Sequence, residues 1–294
     1  MASVPHVGSE AGDRGLRTAL PWLILAAGWS FMYGPLYVEL ARTLWTTDEH
    51  FHEALILLID AWLIWNARKS VASARNAPEP WLGGAVFLFG ALVYVAGRLI
   101  GIWFFSVGSQ IPVLAGIVLA AAGRRALRAL WFPLAFLLFM IPLPNILVDA
   151  VTGPLKNSVS AIAESVLYAF GYPIGRSGVR LTVGPYDLLV ADACSGLHSM
   201  FSLSALGVLF VFLMRRTRWQ HVLIMLASIL PFAYAANILR VITLILVTYH
   251  FGDEVGQGFL HEFDGLLMFL VALFLLIGLD AVLAKLFPDA KAAG

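Results

Sequence analysis

Long apolar runs separated by short charged breaks dominate this chain. They cover residues 18–41, 53–67, 81–98, 102–122, 128–144, 195–214, 219–250 and 262–284. Most approach or exceed the roughly 18 residues that read as a bilayer span. The run at 53–67 is the shortest and contains Asp60. The stretch 145–171 has a different pattern. Ile146, Leu147, Val151, Leu155, Val159, Ile162, Val166 and Leu167 recur at helical spacing, while Lys156, Asn157, Ser160 and Glu164 fall between them. That pattern predicts an amphipathic helix at the outer membrane interface. Over 179–190 the period shortens to two. Val179, Leu181 and Val183 alternate with other residues, Gly184-Pro185 breaks the run, and Tyr186, Leu188 and Val190 alternate again, which predicts a small β-hairpin.

The expected fold is therefore an all-α polytopic membrane protein with about eight transmembrane helices, an outer amphipathic helix and a small β-hairpin. It is expected to form a single domain over 1–294, with a membrane-embedded core at 18–284 and an outer-face segment at 145–193. Composition agrees. The chain is 60% hydrophobic and 13% charged, with a mean hydropathy of +0.85. Soluble domains carry roughly a quarter charged residues. The run at 18–41 exceeds the core of a cleaved signal peptide and is expected to stay as the first span. A net charge of +1 gives no reason to expect nucleic acid as a partner. The environment is membrane lipid.

The basic residues orient the spans. Arg14, Arg17, Arg68, Lys69, Arg75, Arg124, Arg125, Arg128, Arg215, Arg216, Arg218, Lys285 and Lys291 all fall at alternate breaks. The positive-inside rule makes those breaks cytoplasmic and puts both termini inside. Residues 42–52, 98–102, 145–194 and 251–261 then face the outside.

Three chemically capable groups fall on that outer side. Cys194, the chain's one cysteine, follows the predicted hairpin at the mouth of the run at 195–214. Arg240 is 21 residues past Trp219, or about 31 Å along a helix, which matches the hydrocarbon thickness. Asn237 precedes it by three residues and shares its helix face. His261 is expected in the last outer loop, just before the eighth span. A thiol becomes nucleophilic beside a base or a cation. His261 suits proton transfer and Arg240 suits an oxyanion. Taken alone, a membrane cysteine is a small apolar filler, and Ser195-Gly196 is a close-packing pair. An intramembrane arginine is functional by default, though it can also snorkel to the interface. His50, His52, Glu53, His261, Glu262 and Asp264 have spacings that can ligate a metal, but no HExxH pattern accompanies them. No metal and no cofactor are expected. Ser195 is a rival nucleophile without the G-x-S-x-G elbow. Asp60 and Glu164 are left without a role.

In this order, "FMIPLPN" (139–145), "ADACSGLHS" (191–199), "NILR" (237–240) and "HEFDG" (261–265) resemble the exosortase/archaeosortase family. "HFHEALILLIDAWLIW" (50–65) is similar to that family's early His-containing segment, with His52 at the matching position. The resemblance runs from about residue 20 to 284. The wording around "GDEVGQGFLHEFDG" is most like the exosortase B type. The resemblance implies a membrane cysteine protease or transpeptidase, sortase-like by convergence, in a bacterial inner membrane with its active site facing the periplasm. It implies Cys194 as nucleophile, Arg240 as transition-state stabiliser and His261 as third member, with Asn237, Ser195, Gly196 and His52 in support. The implied substrates are secreted proteins with a C-terminal PEP-CTERM-type sorting tail: a short motif, one transmembrane helix and a basic cluster. Two other classes fit the composition. One is a membrane transporter in which Arg240 lines an anion path; the other is a scaffold component of an exopolysaccharide assembly system. Neither needs the thiol.

Overall fold

The computed structural model describes residues 27–47, 50–74, 76–189 and 196–288. It divides into two compact units, Met1–Pro142 and Leu143–Gly294. The boundary falls inside the "FMIPLPN" motif, where Pro142 and Pro144 remove two backbone donors and end helical propagation.

The first unit opens in helix at residues 27–42 (α1). It continues with α2 (Phe51–Ser73), α3 (Pro80–Ile100), α4 (Trp103–Gly108), α5 (Gln110–Ala129), α6 (Trp131–Phe136) and a 3-10 turn at Leu137–Met140. The closest pairing is α3 on α5. The buried residues of α3 are Gly83, Gly90 and Gly97, seven apart, so one narrow stripe of missing side chains faces its partner. A Cβ at Gly83 would lie 2.4 Å from the Ala120 backbone nitrogen, and one at Gly116 would lie 2.5 Å from that of Phe87. Small residues at such a contact let two backbones approach, and dispersion then holds them where lipid supplies no hydrophobic force. The rest of α3 is exposed and apolar, including Trp81, Leu88, Phe89, Leu92 and Leu99, as a lipid-facing surface requires.

The second unit runs α7 (Asn145–Ala169), β1 (Ile174–Ser177), β2 (Arg180–Val183), β3 (Tyr186–Leu189), α8 (Gly196–Met214), α9 (Trp219–Phe251) and α10 (Asp253–Leu286). The strands form one antiparallel sheet in the order β1-β2-β3. The expected hairpin is its second half, with Leu181 opposite Leu188 and Val183 opposite Tyr186. The first strand, with Gly175 opposite Thr182, carries no apolar alternation and was not expected. Gly178 (φ 64°) and Gly184 (φ 55°) supply the left-handed positions of the two turns. The inward residues Leu181, Val183 and Leu188 pack with Val159, Ala163 and Leu167 of α7 and with Val241 and Ile245 of α9. The apolar stripe of α7 is thus covered by protein along Val159, Ala163 and Leu167, where the sequence suggested an interfacial helix.

Four apolar helices among the described residues are long enough to cross a membrane: Pro80–Ile100, Trp103–Ala129, Trp219–Phe251 and Met268–Leu286. They match four of the eight expected runs. Helix α2 carries Glu53, Asp60, Arg68 and Lys69, which dilute its apolar length. The run at 128–144 breaks into α6 and the 3-10 turn, leaving an apolar segment at Trp131–Met140 of about 15 Å, half a hydrocarbon core. The run at 195–214 gives a short apolar helix at Met200–Met214. Residues 18–26 of the first run lie outside the described residues.

Candidate active site

Arg240 lies on α9, a helix of 33 residues with Pro231 inside it. Its buried residues, from Met225 through Ile229, Ala233, Ala236, Asn237, Arg240 and Val241 to Ile245, recur every three or four positions and form one face. Arg240 is only 6% exposed, and Asn237 is buried one turn before it. The sequence placed both on one face, and they lie there.

His261 lies on α10, not in a loop. Gly252 (φ 91°) breaks the chain after α9, and α10 starts at once with Asp253 and Glu254 in its first turn. Carboxylates there suit the positive end of the helix dipole. The helix then continues unbroken through His261 to Leu286. Gly256 lets the two helices meet closely at this turn: a Cβ there would lie 2.2 Å from Thr248 Oγ1 of α9.

Cys194 and Ser195 lie outside the described residues. β3 ends at Leu189 and α8 begins at Gly196, so the described structure stops on either side of them. The side chain of His261 also lies outside the described residues. His52 sits half-buried in the first turn of α2, in the first unit. Beside it, buried Glu53 accepts from Trp45 Nε1 at 3.0 Å and pairs with His50 Nδ1 at 2.7 Å.

The backbone of the second unit is nevertheless informative. Helix α9 packs on both α8 and α10, and α7 packs on α8 and α9. At the Arg216 end, the sequence did not anticipate a cluster that fixes the register. Arg216 donates from Nε and Nη2 to the two oxygens of Asp280, at 3.0 and 2.6 Å. His221 Nε2 lies 2.8 Å from Asp280 Oδ1, and the histidine is fully buried. A lone carboxylate inside an apolar span was the available signal. Counting outward from that contact, Met225 meets Leu276 in one buried cluster and Ala233 meets Met268 in another. The same antiparallel register continues to Arg240 and His261. Arg240 is nineteen residues past His221, and His261 is nineteen residues before Asp280. Both therefore stand about 28 Å along their helices from the Asp280 cluster. The layer of Met200, Leu203, Ala233, Ala236, Met268 and Ala272 ties the first turns of α8 to the same level. Gly196, the first residue of α8, lies four residues beyond Met200, and Arg240 four beyond Ala236.

The family model for the transmembrane exosortase matches residues 44–278, most of the chain and parts of both units. The protein belongs to the transmembrane exosortase family. Searches of curated proteins and of solved structures returned no match. In this exosortase Arg240 and His261 thus stand equally far along α9 and α10 from the Asp280 cluster, each helix running on beyond them to Gly252.

Proposed function

We propose that this exosortase, of the B type, is a membrane cysteine transpeptidase. It removes C-terminal sorting tails from secreted proteins at the outer face of the bacterial inner membrane. Both termini are cytoplasmic. Cys194 is the nucleophile. His261 takes the thiol proton, the sulfur attacks the scissile carbonyl carbon, the peptide C–N bond breaks, and the nitrogen leaves as an amine after taking that proton from His261. Arg240 donates to the oxyanion of the tetrahedral intermediate, a task that suits a permanently charged planar fork. Water or an amine acceptor then attacks the thioester, the C–S bond breaks and the thiol is restored. Asn237 and Gly196 shape the pocket around the reacting carbonyl, and Ser195 supports it. The substrates carry a short PEP-CTERM-type motif, one transmembrane helix and a basic cluster.

The observation that supports this reading is the register of α9 on α10 through Met225, Leu276, Ala233 and Met268, which continued by seven residues reaches the motifs holding Arg240 and His261. A burial cost argues the same way. Holding a guanidinium 6% exposed in an apolar helix is expensive unless it has work to do.

The test is tail removal from a tagged membrane protein bearing such a tail, co-expressed with wild type, Cys194→Ala or Cys194→Ser. Cleavage only with the intact thiol is expected. Equal cleavage by all three would move the nucleophile elsewhere. No cleavage by any, with exopolysaccharide output still depending on the protein, would favour the scaffold or transport reading.

A further inference from the structure

The sheet of the second unit has two edges, β1 and β3, and they differ. Gly184 donates to the Pro173 carbonyl at 3.2 Å, which fixes the phase of the ladder. Successive residues of a central strand bond to opposite neighbours. Arg180 and Thr182 therefore bond β1, while Leu181 and Val183 bond Leu188 and Tyr186 of β3. The backbone N–H and C=O groups of Asp187 and Leu189 then point away from the sheet. Among the described residues, no backbone group pairs with them. The β1 edge is braced instead. Arg176 donates from Nε to Glu164 of α7 at 2.9 Å and from Nη1 to the Gly178 carbonyl at 3.0 Å. At β3 the charge is drawn onto the face of the sheet, where Asp187 accepts from Arg180 at 3.0 Å and from Thr182 at 3.2 Å. The place of this edge matters. β1 packs on α7, and β3 packs on α9. Leu188 belongs to the buried cluster that holds Val241 and Ile245, on the two turns of α9 that follow Arg240. Along the chain, Cys194 follows Leu189 by five residues, a reach of at most about 18 Å.

We propose that the edge of β3 takes the substrate as a fourth strand. The extended segment ahead of the substrate's transmembrane helix pairs its backbone with Asp187 and Leu189 and is thereby laid toward Cys194. This inference deepens the transpeptidase reading and rests on it. Strand addition suits the task. Main-chain bonds hold a peptide extended, the form in which a single carbonyl can be offered to a nucleophile. They ignore side chains, so one edge serves many secreted proteins. The substrate residue opposite Asp187 exchanges two backbone bonds with it and must carry an N–H, which excludes proline there. Its side chain falls beside the Asp187–Arg180 pair on the polar face of the sheet. The residues flanking it turn toward the face of Leu188.

The experiment is disulfide cross-linking of the full-length protein in membranes. With Cys194 changed to Ala, Asp187→Cys supplies the only thiol of the chain. The tagged tail-bearing substrate, otherwise free of cysteine, carries one cysteine at a time, scanned residue by residue ahead of its transmembrane helix. Diamide oxidises adjoining thiols. Opposed residues of a bonded pair stand about 5.5 Å apart at Cα, a span that a disulfide bridges. Cross-linking is expected at alternate substrate positions, about fivefold or more above the positions between them. Absent or uniform cross-linking overturns the proposal, as does equal cross-linking to Arg176→Cys on the β1 edge. Disulfide dimers of the Asp187→Cys chain in place of substrate adducts also overturn it and give the edge to a second copy. Tail cleavage with Cys194 intact is the second measurement. Asp187→Pro removes an outward donor and none that faces β2. It is expected to slow cleavage about fivefold or more, whereas Arg176→Pro on the other edge keeps cleavage within about twofold of wild type. Undiminished cleavage by Asp187→Pro, or equal slowing by both, overturns the proposal; the cross-link decides should Asp187→Pro fail to fold. The two readings fail separately. Alternate cross-links without cleavage by wild type strike the cysteine chemistry and leave the edge. Cleavage without alternate cross-links strikes the edge and leaves the chemistry.

Discussion

Arg240 and Asp280 show how single charged residues act in this chain. Arg240 to Lys keeps the charge but loses the planar fork. On the proposed chemistry, tail cleavage falls about 100-fold or more, while the protein still inserts and accumulates. Cleavage assays beside membrane immunoblots check both. Asp280 has a different job. It is the shared acceptor for Arg216 and His221, so Asp280→Ala takes one carboxylate from a guanidinium and a buried imidazole together. Losing one partner of a mostly buried pair costs about 3 kcal/mol or more. Thermal unfolding in detergent should show a fall of several degrees. The double variant Asp280→Leu with His221→Leu should recover part of it, because it removes both buried polar groups of that contact.

The α3–α5 pair allows a sharper comparison of neighbouring glycines. Gly83 faces α5 at a distance that a methyl cannot occupy, whereas Gly84 has nothing within 4 Å. Gly83→Ala should therefore destabilise the first unit by about 1–3 kcal/mol. Gly84→Ala should be neutral or slightly stabilising, because alanine is the better helix former. Unfolding of the two single variants side by side decides it. At this level the sequence is read unevenly. Pro80–Ile100 and Trp219–Phe251 come within a residue or two of the apolar runs that predict them, because isolated polar residues such as Asn237 and Arg240 do not break their long apolar stretches. The hairpin was legible from its alternation. β1, with the sequence Ile-Gly-Arg-Ser, was not, because an edge strand with one inward apolar residue leaves no period to detect. The sequence puts His261 in an outer loop, but α10 already starts at Asp253 and carries it; the close contact at Gly256 that permits this shows only against the partner helix. The Arg216–Asp280 pair spans 64 residues and has no local signature at all.

The whole molecule is expected to present its two ends to different compartments. With Cys194 changed to Ala, the chain has no thiol, and new cysteines become topology reporters. Arg180→Cys, on β2, should react with a membrane-impermeant maleimide in intact spheroplasts. Arg215→Cys, in the turn after α8, should react only after permeabilisation. The reverse pattern would invert the protein and put the Arg240–His261 level on the wrong side for secreted substrates. Within the second unit, α10 has a mechanical consequence. A histidine on a loop can swing by itself. One carried on a continuous 34-residue rod moves only when the rod slides or turns, and the rod is clamped at its far end by Asp280. A displacement of His261 against Arg240 is then transmitted along α10 to the Arg216–His221 clamp at the far end of the rod. The two levels share one lever.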